Sequence, residues 1–294
     1  MSPDSGVQEH VASLRVVAPS DAAAAGRICF NAFKTIAERH DFVRDFPDPE
    51  TAIGLMEHIA ARTHVYGVVA EAAGRLVGSN FLWVDGEVAG VGPITIDPAV
   101  QDAGIGRKLM EAVLAHATAR GLRSVRLVQA AYHNRSMSLY TKLGFDAREP
   151  LSVLQGPTLA LAIEGCTVRA AEVSDAAAAD VLCRRIHGHT RTVALHRAIG
   201  QGAGRIVERD GRITGYATEI GFFGHAIGET NEDLQALIGA APVFTGPGFL
   251  LPTRNGALLR WCLERGLRIV QPMTLMTVGH YQEPRGAFLS SILY

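Results

Sequence analysis

The chain repeats itself, and the repeat limits its fold more than any single motif does. The run "SDAAAA" occurs at Ser20 to Ala25 and again at Ser174 to Ala179, each time after a short apolar piece, "LRVVAP" and "CTVRAA". Ser then Asp ahead of an alanine-rich run marks a helix start, because a short oxygen-bearing side chain accepts from the free N–H groups of the first turn. Farther on, "VVAEAAGRLVGSN" (68–80) is answered by "RIVERDGRITGYA" (205–217), with Glu71, Gly74, Arg75 and Gly78 matched by Glu208, Gly211, Arg212 and Gly215. Both read as strand, Gly-Arg turn, strand. Such pieces are common singly, so it is their shared order that carries weight. At 294 residues the chain is also longer than a usual single domain. The expectation is a flexible lead over 1–13, a domain over 14–155, a linker over 156–165 and a second domain over 166–294.

Within the first half the pattern predicts a strand, helices around 20–40 and 50–62, strands near 65–70 and 75–84, and a long strand ending at Asp97. A helix from about Gly104 to Arg120, the strand "SVRLVQA", a helix over 134–142 and a strand pair beyond Gly144 follow. Helices mixed with a largely antiparallel twisted sheet make this an α+β (mixed α/β) fold in each half. The formal net charge of −1 removes the basic face that nucleic-acid binders use. No apolar run approaches the roughly 20 residues needed to cross a bilayer, and the start "MSPDSGVQEHVASL" lacks the regions of a secretion signal. The reading is a cytoplasmic protein with no nucleic acid and no membrane among its partners. Cys29, Cys166, Cys183 and Cys262 stand apart with no Cys-x-x-Cys pair, which suits reduced, mostly buried thiols. His187, His189 and His196 read as surface or core histidines, so no metal is expected.

One stretch carries chemistry. In "VAGVGPITIDP" a strand is broken by Gly90, Gly92 and Pro93, as happens at a bulge or where a ligand approaches the backbone. "QDAGIGRKLM" (101–110) then turns the chain into a helix, so that backbone N–H groups and the positive helix end converge on one spot suited to phosphate. It is neither common phosphate loop: the dinucleotide pattern needs glycine where Leu109 stands, and the nucleoside-triphosphate loop needs Gly-Lys-Ser/Thr where the chain has Gly106-Arg107-Lys108.

These residues resemble the GNAT superfamily of acyl-CoA-dependent N-acetyltransferases. Its Gln/Arg-x-x-Gly-x-Gly/Ala signature after a strand end is matched by Ile96-Asp97-Pro98 followed by Gln101-Asp102-Ala103-Gly104-Ile105-Gly106. Its downstream signature is matched by Asn134, Tyr140, Gly144 and Phe145 of "NRSMSLYTKLGF". The likeness is firm over about 65–146 and weaker elsewhere. It implies that the N–H groups of Gln101, Asp102, Ala103, Gly104, Ile105, Gly106 and Arg107 hold the pyrophosphate of acetyl-CoA. It further implies that Ile94, Thr95 and Ile96 align the pantetheine arm and thioester carbonyl, that Asn134 holds the arm from the other side, and that Tyr140 sits by the sulfur as catalytic acid. A phenol there suits the chemistry, since acyl transfer to an amine expels a thiolate that needs a proton.

The implied activity is direct transfer of an acetyl group to a primary amine on a small molecule or peptide, with a homodimer left open. A noncatalytic acyl-CoA-binding or sensing protein is the alternative. "GVGPITI" has no central-strand glutamate to act as base; Glu71, Asp85, Glu87, a water chain or a carboxylate at Tyr294 remain candidates. The segment "ERHDFVRDFPDPE", with Glu38, Asp41, Asp45, Asp48 and Glu50 among Phe42 and Phe46, reads as a solvated loop or as an acidic wall of the acceptor pocket. The second half keeps the order of elements and loses the chemistry. "GETNEDLQALIGA" replaces the glycine turn, and Asn255 precedes Trp261 by the spacing of Asn134 to Tyr140. It reads as a degenerate GNAT-like copy, with an unrelated α+β domain as the alternative.

Overall fold

The computed structural model describes residues 12–101 and 103–293. The first half runs β1 (Ser13–Val16), α1 (Ala22–Arg39), α2 (Pro49–Ala60), β2 (Val65–Ala72), β3 (Arg75–Val84), β4 (Val88–Val91), β5 (Thr95–Ile96), α3 (Ile105–Ala119), β6 (Ser124–Ala130), α4 (Asn134–Lys142) and β7 (Asp146–Gln155). The second runs β8 (Thr167–Ala170), α5 (Ala176–His187), α6 (Thr192–Gly200), β9 (Arg205–Arg209), β10 (Arg212–Ala217), β11 (Ala226–Gly228), α7 (Asn231–Ala240), β12 (Phe249–Pro252), α8 (Gly256–Glu264), β13 (Arg268–Gly279) and β14 (Ala287–Leu289). Among the described residues no helix is long and apolar enough to cross a membrane.

The repeat is physical. The β2–β3 hairpin turns on Ala73 (φ 50°) and Gly74 (φ 70°), and the β9–β10 hairpin on Asp210 (φ 50°) and Gly211 (φ 70°). Two successive left-handed residues give the turn that follows the natural twist of paired strands. The repeated Ser-Asp does not cap α1 or α5 directly. Asp21 instead accepts from the Ala18 N–H at 2.7 Å, and Asp175 from the Glu172 N–H at 2.8 Å, each closing a short 3-10 turn ahead of its helix.

Strand alternation sorts the first-half core onto two faces of the sheet. Leu82 of β3 joins Leu109, Met110 and Val113 of α3, while its neighbours Phe81 and Trp83 join Cys29, Met56 and Ile59 under α1 and α2. Gly26 brings those two helices together, because a Cβ there would stand 2.5 Å from the Ile53 Cα.

The sheets are not divided as the sequence suggests. A nine-stranded sheet runs β1-β2-β3-β4-β6-β13-β7-β12, with β5 on β3, and a five-stranded sheet runs β14-β11-β10-β9-β8. In place of the strand pair expected beyond Gly144 there is β7 alone, and its partners come from the second half. Strand β13 enters between β6 and β7, pairing Thr277 with Arg126 on one edge and with Asp146 on the other. Its Met276 is fully buried in the first-half core with Leu127 and Phe145. Burying a side chain of that size contributes about 1.5–3 kcal/mol, so the first half draws stability from residues beyond 166.

Candidate active site

The site begins where β4 ends. Strand β4 lies parallel to β6 through Val88↔Ser124, Ala89↔Val125 and Gly90↔Arg126. Gly92 then takes φ 139°, a conformation that side chains resist, ahead of a cis bond to Pro93. The Gly92 N–H donates to the Phe81 carbonyl at 2.9 Å and the Trp83 indole N–H donates to the Gly92 carbonyl at 2.7 Å, which fixes the bulge. Beyond it β5 returns to β3 through Ser79↔Thr95 and Gly78↔Ile96, while β6 pairs through Leu127 to Ala130 with β13 on its far edge. The edges of β5 and β6 that face each other are thus left without a ladder between them. Thr95 is held by its side chain, 3.3 Å from the Ser79 hydroxyl.

The glycine turn opens at the same end. The Asp97 carboxylate accepts from the Ala99 N–H at 3.0 Å, and Gly104 adopts φ 73° as the residue before α3. Among the described residues the first bond of that helix runs from the Lys108 N–H to the Gly104 carbonyl at 3.2 Å, and the N–H groups of Ile105, Gly106 and Arg107 meet no helical acceptor among those residues. Gly106 sits where a Cβ would press on Ile96 at 3.3 Å and Leu139 at 3.4 Å, so β5, α3 and α4 converge there. Gln101, Ala103, Gly104 and Arg107 are exposed; Ile105 is buried; Asp102 lies outside the described residues. Arg135 donates to the Gln101 side chain at 3.4 Å, tying α4 to the turn.

Helix α4 is capped by His133, whose Nδ1 accepts from the Ser136 N–H at 3.1 Å, and Asn134 is exposed in its first turn. Tyr140 is buried, its ring 6.1 Å from that of Phe145. Burial pushes its hydroxyl up to about 12, and a hydrogen bond with Ser136 works in the opposite direction. The structure therefore brings Ile94 to Ile96, Gln101, Ala103 to Arg107, Asn134 and Tyr140 to one end of the sheet.

The carboxylates proposed as bases are engaged elsewhere. Glu71 is paired with Arg15 at 2.6 Å, Asp85 with Arg197 at 3.6 Å and Glu87 with Arg123 at 3.7 Å, and Tyr294 lies outside the described residues. In the segment between α1 and α2, Asp48 caps α2 through the Thr51 N–H at 2.7 Å and Glu38 pairs with Arg44. Asp45 is the one carried inward: burial pushes it up to about 6, and burial and, after it, the Asp45 charge raise both the Cys29 thiol and the Tyr132 hydroxyl. Phe42 stacks on Tyr132 with ring centroids 4.2 Å apart, and the Tyr132 hydroxyl accepts from the Gln271 side chain of β13 at 2.8 Å. Sequence reasoning missed Tyr132 and Gln271. Tyr132 stands two residues before Asn134, but nothing local points to Gln271.

Of the histidines, His187 and His189 are buried with His225 beside Arg126, and His196 is exposed. Burial and neighbouring cations hold His189 down at about 3, so these rings stay neutral. Among the described residues no group of His, Cys, Asp and Glu is arranged to hold a metal ion.

The family model described as the acetyltransferase (GNAT) family matches residues 30–145. An IAA acetyltransferase of Azospirillum brasilense is 30% identical over 107 residues, covering 35% of this chain and 69% of that protein. A mycothiol acetyltransferase of Cellulomonas flavigena is 36% identical over 101 residues, covering 31% of this chain and 29% of its own length. The chain spans only a fifth to three tenths of the mycothiol acetyltransferases it matches. In fold, a GCN5-related N-acetyltransferase from Sphaerobacter thermophilus superposes with a TM-score of 0.59 at 15% identity, covering 92% of this chain and 96% of that one. A candidate acetyltransferase from Pyrococcus horikoshii reaches 0.72 at 14% identity, covering 100% and 96%. The likeness in fold thus runs through both halves, and the likeness in sequence lies in the half that carries the split strands and the glycine turn. The chain belongs to the GNAT family of acetyltransferases.

Proposed function

We propose that the first half binds acetyl-CoA between β5 and β6 and transfers its acetyl group directly to a primary amine. The observation that carries this is the meeting of an unladdered strand gap with the N-terminus of α3. One supplies backbone groups for an extended amide-bearing arm, the other supplies N–H groups and a positive helix end for a pyrophosphate. The N–H groups of Gln101 to Arg107 would take the pyrophosphate, Ile94 to Ile96 would align the pantetheine and receive the developing oxyanion, and Asn134 would hold the arm from the far side. Tyr140, protonated at neutral pH because burial raises its hydroxyl, would donate to the departing thiolate.

The amine would approach from the side of α1 and α2, past Phe42 and Tyr132. An alkylamine with a pKa of roughly 10.4 is free in only about one molecule in a few thousand at pH 7, so a proton acceptor is needed. Asp45, half-buried and raised to about 6, is the carboxylate on that side best matched to the task. The relatives differ in the acceptors their names carry, and the acceptor class stays at primary amine.

The test is calorimetric titration with acetyl-CoA of the intact protein and of Gly104→Glu. A side chain at φ 73° is strained, and a carboxylate there would face the pyrophosphate. The intact protein should bind and the variant should bind at least about 100-fold more weakly, a loss of about 2.7 kcal/mol. Absence of binding by the intact protein would defeat the proposal.

A further inference from the structure

The repeat lets the two halves be laid on each other strand by strand. Gly215 pairs with Gly228 and Tyr216 with Ile227, as Gly78 pairs with Ile96 and Ser79 with Thr95. Since Gly215 answers Gly78, β11 stands where β5 stands, with Ala226, Ile227 and Gly228 in the places of Ile94, Thr95 and Ile96. Strand β12, ahead of α8, stands in the same way where β6 stands ahead of α4.

In the first half these two strands part and leave their facing edges without a ladder. In the second half the gap is filled by the chain itself. Strand β14 pairs with β11 through Ala226↔Leu289, Ile227↔Phe288 and Gly228↔Ala287. On its other side it meets β12 at the Leu250↔Ser290 bridge, where the Ser290 N–H donates to the Leu250 carbonyl at 3.0 Å. Its side chains anchor both faces. Phe288 packs against His187 with ring centroids 5.0 Å apart, and Ala287 and Leu289 pack with Leu234 and Leu237 of α7.

The entrance is closed as well. Between β11 and α7 there are only Glu229 and Thr230, against residues 97–104 between β5 and α3. At the start of α7 the fully buried Asp233 carboxylate accepts from the Thr230 N–H at 2.9 Å and from the Thr214 hydroxyl at 2.6 Å, and pairs with Arg209 at 3.1 Å. A carboxylate thus stands at the helix start where the first half has Gly104 and no side-chain cap.

We infer that β14 is a built-in occupant of the second half's donor slot, so that each chain takes one acetyl-CoA, in the first half. This rests on the reading of the first half as the donor site. The strand also acts as a strap. Beyond it the Ile292 N–H donates to the Phe222 carbonyl at 2.8 Å, and Leu293 reaches the first-half cluster of Phe46 and Trp83, the tryptophan that holds the Gly92 carbonyl.

Two measurements on the full chain test this. Calorimetry with acetyl-CoA should give one site per chain, lost in Gly104→Glu. Hydrogen exchange should show amides 287–290 protected in the free protein and unchanged at saturating acetyl-CoA, while segments 94–96 and 103–107 gain protection. Two sites, or one site that survives Gly104→Glu, would place donor in the second half and overturn the inference. Fast exchange at 287–290, or its onset when donor is added, would show that the slot is not filled. No binding at all, with 287–290 still protected, would defeat the first-half reading and the count of one, while leaving the filled slot standing.

Discussion

The two halves agree where they build a hairpin against a helix entry and differ where a ligand would sit. Arg15 donates to Asp21 at 2.7 and 2.8 Å and to Glu71 at 3.0 and 2.6 Å. Arg169 donates to Asp175 at 2.7 and 2.8 Å and to Glu208 at 3.0 and 2.7 Å. One guanidinium in each half ties its first strand, its helix entry and its hairpin, a geometry that planar forked donors favour. Seven residues beyond those glutamates the likeness stops: Gly78 leads to an open edge and Gly215 to a filled one. The scaffold was kept because the sheet needs it, and the slot was not, because only ligand binding needs an unpaired edge.

The widest departure from a simple tandem is β13, and it gives the largest expected effect. Met276 lies in the second half of the sequence and in the first-half core, at 0% exposure. Met276→Ala should cost about 2–5 kcal/mol, for lost burial and a cavity that its neighbours only partly close. Urea unfolding should remain a single transition, and acetyl-CoA binding should disappear at the same midpoint. Two separate transitions, with donor binding surviving the first, would mean that the halves are independent units despite the shared sheet.

Local structure is legible in the sequence and distant pairing is not. Strand β6 and helix α4 fall on the residues that alternation and helix formers indicate, 124–130 and 134–142, and the glycine turn is set by a φ that Gly104 alone in its neighbourhood takes without strain. The insertion of β13 between β6 and β7, and of β14 beside β11, left no trace. A period-two pattern says which face of a strand is buried and nothing about which strand lies beside it. The spacing of Asn255 to Trp261 misleads for a related reason. Helix α8 has Asn255 as its cap, the place His133 holds in α4, and the turns that close at Gly144 and Gly266 put Cys262 where Tyr140 stands. One residue along a helix is about 100° of rotation, so Trp261 is left half-buried at the edge of the core, under Arg265 at 4.3 Å, while Cys262 is fully buried. The proposed base was illegible because burial, which raises Asp45 and leaves Asp41 and Glu50 in water, is decided by how Phe42 and Phe46 dock.

Tyr140 and Cys262 sharpen the contrast at a single position. Tyr140→Phe keeps the ring and removes the hydroxyl, and it should slow acetyl-CoA consumption in the presence of a primary-amine pool by about 100-fold, the lower end of the usual range for losing a proton donor. Binding of acetyl-CoA should hold within about twofold, about 0.4 kcal/mol. Cys262→Ala should leave both unchanged. Because burial lifts the Tyr140 hydroxyl to about 12, the rate should show no alkaline fall from this group below about pH 11, the donor being protonated throughout. Equal turnover by Tyr140→Phe would remove the phenol from the mechanism and strengthen a binding role for the chain.

The smallest effect probes what the halves share. Arg15 holds the Asp21 carboxyl below its ordinary value through its hydrogen bonds, and Arg169 does the same to Asp175. A carboxyl with a lowered folded value stabilises the fold above its unfolded value, roughly 3.9, and that stability is lost as pH falls through the folded value. Asp21→Asn and Asp175→Asn should therefore each cost about 1–2 kcal/mol at pH 7, discounted because the arginine side chains are 40% and 34% exposed. The cost should shrink as pH falls through the lowered folded value, where the parent carboxyls take up their protons. Urea midpoints at pH 7 and along a descending acid series for the parent and the two variants decide it. Matching losses would show that evolution retained one clamp twice for folding alone; a loss confined to Asp21 would mean that the second clamp has been relieved of its work by β13 and β14, which tie the second half in by other means.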